Sequence, residues 1–139
     1  MLFLHLYSSA MQADENKAGA SILIVEDDED VREAMVAFLE MKGYTVASAG
    51  NGKEALDYLH TAPAPDLIIT DLAMPVMDGR QFRREQLKDA RLAAIPMLVI
   101  TAMADRTHID ANEILLKPVD ADLLLTAVSR HCGSEPVLQ

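Results

Sequence analysis

Residues 66–71 read Asp-Leu-Ile-Ile-Thr-Asp, and the run from Asp66 to Thr70 decides the fold. It is too short for a helix, and it is apolar at consecutive rather than alternate positions, as suits a strand covered on both faces. Thr61 to Pro65, a Thr-Ala-Pro-Ala-Pro segment, breaks the chain ahead of it, and Asp71 ends it on a carboxylate. Similar runs recur on either side. Upstream, Ser21-Ile22-Leu23-Ile24-Val25 gives way to Glu26 and Asp27, and Tyr44 to Ala49 reads as a second strand. Downstream, Pro96 opens Met97-Leu98-Val99-Ile100, which ends at Thr101, and Ile114-Leu115-Leu116 ends at Lys117-Pro118.

Between these runs the apolar period becomes helical. From Glu29 to Lys42, Val31, Ala34, Met35, Phe38 and Leu39 fall at i, i+3, i+4, i+7 and i+8, one face of a helix that Gly43 can stop. Asn51 can cap a short helix with Ala55, Leu56 and Leu59 on its inner face. A polar helix is expected from Arg80 to near Ala90, with Phe82 and Leu87 as its main apolar contacts. A last helix runs from Asp120 to near His131, with Leu123, Leu124, Ala127 and Val128 inward and Gly133 closing it. Asp28, Glu29 and Asp30 suit the N-terminal dipole of the first helix, and Asp28 also stays open as an alternative cation ligand.

Five short strands alternating with helices imply right-handed βαβ units and an α/β fold with a doubly wound parallel sheet. In such sheets a ligand binds outside the carboxyl ends of the strands, where strand order reverses. Four of the five runs end there in a reactive polar residue: Glu26 and Asp27, Asp71, Thr101, and Lys117. Carboxylates crowded together repel one another and attract a hard cation, and an all-oxygen set suits Mg²⁺. With Asp71 as nucleophile, Lys117 and the Thr101 hydroxyl can each hold a phosphoryl oxygen. The implied chemistry is in-line phosphoryl transfer to give an aspartyl phosphate.

The strings ILIVEDDEDVR, LIITDLAMPVMDG, MLVITA and ILLKP, in that order on successive strand ends, resemble the receiver domain of two-component response regulators. The resemblance runs from about Ala20 to Cys132. It implies a flavodoxin-like sheet of strand order 2-1-3-4-5 with five helices. Asp71 then corresponds to the phosphoacceptor, Glu26 and Asp27 to the acidic pair, and Asp27 to the residue that usually touches Mg²⁺. The metal set is Glu26, Asp27, Asp71 and the Ala73 backbone carbonyl. Thr101 corresponds to the switch hydroxyl, and Lys117 to the lysine whose bond to the next proline, here Pro118, is commonly cis. Pro75 and Gly79 correspond to the loop that shapes the site, the first through a fixed φ and the second through a permissive one. Two departures stand out. Ile114 takes the place of the usual aromatic three residues before the lysine, and the fifteen residues between Thr101 and Lys117 leave room only for a shortened fourth helix.

The implied function is a phosphoaccepting receiver without an output domain, charged by a histidine kinase or histidine phosphotransfer protein and signalling to an output protein by contact. A pseudo-receiver, acting as a binding module without a switch, is the alternative. An aspartate-dependent phosphatase is disfavoured because Ala73 stands where its general acid would be. The formal net charge of −10 disfavours nucleic acid as a partner, and one cysteine, Cys132, suits the cytoplasm. No membrane span is expected, since the apolar start, Met1 to Tyr7, is too short and lacks a basic lead-in. Residues 1–20 read as a flexible leader, 21–132 as the domain and 133–139 as a tail, in a monomer or weak dimer. His5, His60, His108 and His131 show no metal spacing, and Arg80, Arg83, Arg84, Lys88 and Arg91 read as a solvated basic face.

Overall fold

A computed structural model describes residues 19–102 and 109–132. The leader up to residue 18, the tail from residue 133 and the middle of the expected short fourth helix lie outside them. Among the described residues, β1 (Ser21–Val25), β2 (Thr45–Ala49), β3 (Leu67–Thr70), β4 (Met97–Thr101) and β5 (Glu113–Leu116) form one sheet in the order β2-β1-β3-β4-β5. All four pairings are parallel. The helices are α1 (Glu29–Met41), α2 (Gly52–Thr61), α3 (Gly79–Leu87), α4 (Ala90–Ala93) and α5 (Ala121–His131). None is long and apolar enough to cross a membrane.

Alternate strand residues feed two cores, as a two-residue side-chain period requires. On one face Leu23, Val25, Ile68, Met97 and Val99 pack with Leu56 and Leu59 of α2 and Phe82 of α3. On the other, Ile22, Ile24, Ile69, Leu98 and Ile100 pack with Leu39 of α1 and Leu124, Ala127 and Val128 of α5. Each helix begins on a side chain that accepts otherwise unpaired backbone N–H groups: Asp28, Asn51, Asp78, Asp89 and Asp120 for α1 to α5. Asp28 is thus an N-cap, its Oδ1 3.0 Å from the Val31 N–H. Gly43, at φ 99°, turns the chain out of α1.

Four expectations about side chains change. In α1 the buried face holds at Met35, Phe38 and Leu39, but Val31 and Ala34 are exposed. In α5 Leu123 is 46 % exposed rather than inward. The polar helix ends at Leu87, which is 38 % exposed, and Arg83 and Gln86 are buried beside Phe82 instead. Arg83 therefore does not belong to a solvated face. Gly79, too, differs: its φ is not in the left-handed region, and the loop's positive φ falls on Val76 at 68°. Gly79 matters for close approach, since an added Cβ would lie 2.9 Å from the Leu72 Cα and press on the Asp71 carbonyl oxygen.

Candidate functional site

The sheet register brings the polar strand ends together. Val25 of β1 pairs with Thr70 of β3, so Glu26 and Asp71 emerge side by side from adjacent strands. Thr70 pairs with Val99 and Thr101 with Leu116, which sets Thr101 and Lys117 on the neighbouring strand ends. The Asp71 side chain is 11 % exposed and fully engaged. Its Oδ2 accepts from Lys117 Nζ at 2.7 Å, and its Oδ1 accepts from the Leu72 N–H at 2.6 Å and the Ala73 N–H at 3.4 Å. Glu26 is buried, with Oε1 3.3 Å from the same Nζ and Oε2 accepting from the Asp28 N–H at 3.0 Å. Asp27 is exposed at the rim, and Thr101 is fully buried, its carbonyl accepting the Lys117 N–H at 2.9 Å.

Lys117 is the cation of this cluster. Burial works against its charge, but the hydrogen bond and attraction of Asp71 and the attraction of Glu26 outweigh it and hold its pKa above the ordinary 10.5. A raised lysine pKa contributes stability below about 10.5 that is lost as the pH climbs through the higher folded value. Melting followed across the alkaline range should therefore fall more steeply for the wild type than for Lys117→Met. Equal slopes would mean that the pairing adds nothing to the folded state.

One positioning residue had no signal in the sequence. Arg32, on α1, donates from Nη1 to the Glu26 backbone carbonyl at 2.8 Å and so braces the turn that carries the acidic pair. An arginine on an amphipathic helix reads as solvated until its partner is known. The Lys117–Pro118 bond is cis. Beside Lys117 a mainly apolar cavity of about 540 Å³ opens between α1 and α5, lined by Val31, Met35, Val119 and Leu124 among others. Cys132 lies far from this chemistry, and burial, helped by Asp66, pushes its thiol pKa up to about 12, so the thiol stays protonated.

The donor chemistry fits a hard cation: Glu26, Asp27 and Asp71 are carboxylates on adjoining strand ends. Among the described residues, no three His, Cys, Asp or Glu side chains cluster as a ready-made metal site. The Lys117 ammonium lies within 3.3 Å of Glu26 Oε1 and 2.7 Å of Asp71 Oδ2 and offsets their charge.

A parallel sheet of order 2-1-3-4-5 with acids and a lysine at its carboxyl edge defines a flavodoxin-like α/β domain of the signalling type. The chain belongs to the response regulator receiver domain family, whose model matches residues 22–129. It is 43 % identical over 112 residues to the response regulator Rre1 of Synechocystis, covering 75 % of this chain and 48 % of that protein. It is 34 % identical to protein PilH of Pseudomonas aeruginosa over 116 residues, covering 79 % and 95 % of the two chains. Among solved structures it resembles the chemotaxis response regulator CheY4 of Vibrio cholerae, with TM-score 0.74, 30 % identity and coverage of 81 % and 98 %. It also resembles the receiver domain of the sensor histidine kinase PA1611 of Pseudomonas aeruginosa, described with a magnesium ion in its active-site cleft (TM-score 0.77, 28 % identity, coverage 84 % and 99 %). The chain thus spans about half of one curated relative and nearly all of another.

Proposed function

We propose that residues 21–132 form a phosphoaccepting receiver that takes its phosphoryl group on Asp71 from a histidine kinase or histidine phosphotransfer protein and signals by contact with an output protein. The observation that carries this reading is the Lys117 Nζ bridging Asp71 and Glu26 at 2.7 and 3.3 Å. It holds a nucleophilic carboxylate and a compact cation on one strand edge. A carboxylate oxygen of Asp71 forms the new bond to phosphorus while the bond from phosphorus to the donor breaks, its electron pair leaving with the donor. Lys117 then holds one phosphoryl oxygen by charge, and the Thr101 hydroxyl donates to another. The Leu72 and Ala73 N–H groups fix the second oxygen of Asp71, so the attacking one is aimed rather than free to turn.

Glu26, Asp27, Asp71 and the Ala73 carbonyl would hold Mg²⁺. When bound it supplies the positive charge that lets an anionic phosphoryl group approach a carboxylate. The apolar cavity beside Lys117, with Val31 left exposed on α1, suits a protein donor that must sit over Asp71 to deliver its phosphoryl group. The protein incubated with radiolabelled acetyl phosphate should take up label in Mg²⁺ and none in EDTA. Labelling indifferent to Mg²⁺ would overturn the acidic cluster's role. A pseudo-receiver reading has only Ile114 and the short stretch between Thr101 and Lys117 in its favour.

A further inference from the structure

We propose that Arg83 couples the phosphoacceptor loop to the chain entering β5, a route that stands in for the aromatic residue replaced by Ile114. The proposal rests on the assignment of Asp71 as phosphoacceptor.

Arg83 sits one turn into α3, is only 9 % exposed, and turns its guanidinium toward internal partners. Its Nε donates to the Asp110 backbone carbonyl at 2.5 Å, and its Nη1 donates to Gln86 Oε1 at 2.8 Å. Nη2 stands 4.0 Å from the Asp110 carboxylate. Gln86, fully buried, passes the tie on by donating to the Leu92 and Ile95 carbonyls at 2.8 and 3.0 Å. A buried arginine is costly unless its donors are met, so the tie holds one geometry: moving residue 110 strands the guanidinium.

The other end of α3 rests on the site. The Gly79 N–H donates to the Leu72 carbonyl at 2.9 Å, and the Gly79 Cα is packed against the Asp71 backbone so closely that no Cβ fits. A change in the Asp71 peptide is therefore felt by α3 directly. At the far side, the segment that Arg83 grips is continuous with the sheet. Ile109 and Ala111, partly buried, pack against the core, and Asn112 donates its N–H to the Met97 carbonyl at 2.9 Å while its Oδ1 accepts from the Met97 N–H at 2.8 Å. Ile114 follows, packed against the same core and paired with Val99. The helix thus links the acceptor loop to the start of β5 through rigid, hydrogen-bonded contacts.

The test is an amide NMR comparison of the protein with and without beryllofluoride and Mg²⁺, in the wild type, Arg83→Met, Arg83→Lys and Asp110→Asn. In the wild type, loading should shift the amides of Asp110, Ala111 and Asn112 as well as those around Asp71. In Arg83→Met the shifts around Asp71 should persist and those at 110–112 should vanish. Arg83→Lys, better able to stay folded, keeps the charge but cannot serve both Asp110 and Gln86, and should lose the remote response too. Asp110→Asn keeps the backbone carbonyl and should respond like the wild type. A wild-type response confined to the neighbourhood of Asp71, or a full remote response in both Arg83 variants, overturns the coupling. No shift anywhere on loading sinks the assignment of Asp71 along with it.

Discussion

Asp71→Asn is expected to abolish phosphoryl labelling, a fall of more than about a hundredfold, because an amide has neither the charge nor the lone-pair reactivity of a carboxylate nucleophile. The surroundings add to the loss. Both carboxylate oxygens are met by donors, Lys117 Nζ on one side and the Leu72 and Ala73 N–H groups on the other. Whichever way an asparagine turns, its NH₂ faces a donor, so the side chain cannot settle in the aspartate's place. Mass spectrometry after acetyl phosphate treatment gives the answer. Undiminished label on Asp71→Asn would place the acceptor on another residue.

Gly79→Ala should cost about 1–3 kcal/mol of stability, the range for forcing atoms into a closed contact. The atoms a Cβ would meet are backbone, at Leu72 and Asp71, and cannot swing aside as a side chain would. Relief has to come from moving the Asp71 peptide or the start of α3, so labelling should slow as well. Gly50→Ala makes the control: its Cβ would meet only the ends of Glu54 and Arg32, at 3.3 and 3.5 Å. Urea unfolding of both variants separates the cases. Equal midpoints would show that the approach of α3 to the acceptor loop is looser than the packing implies.

The strands were legible because burial on both faces leaves continuous apolar runs, and Leu67 to Thr70 or Met97 to Thr101 admit few other readings. The candidate site was legible for a related reason: its residues end those runs, so topology alone carries Glu26, Asp71, Thr101 and Lys117 to one edge. Gly79 misleads in sequence, since a glycine demanded by crowding looks the same there as one demanded by φ. The helix surfaces were harder. Arg83 and Gln86 are buried by satisfying one another and a distant carbonyl, and no hydrophobic period reports a polar side chain whose partner lies 27 residues away. Leu87 is apolar yet exposed, and Val31 and Ala34 keep the helical period without a neighbour to bury them.

The order of the strands leaves the sheet two edges, β2 and β5. From β1 outward, each strand is laid on an edge that already exists, β2 on one side and β3, β4 and β5 in turn on the other, so none is inserted between two finished neighbours. β5 is the last laid, four residues long and only partly buried, and Lys117 is the residue that follows it. Fraying of this edge would take the bridging cation with it, while β1, β3 and β4 remain closed. Loss of that edge would open the Lys117 bridge between Asp71 and Glu26 while leaving most of the two cores packed.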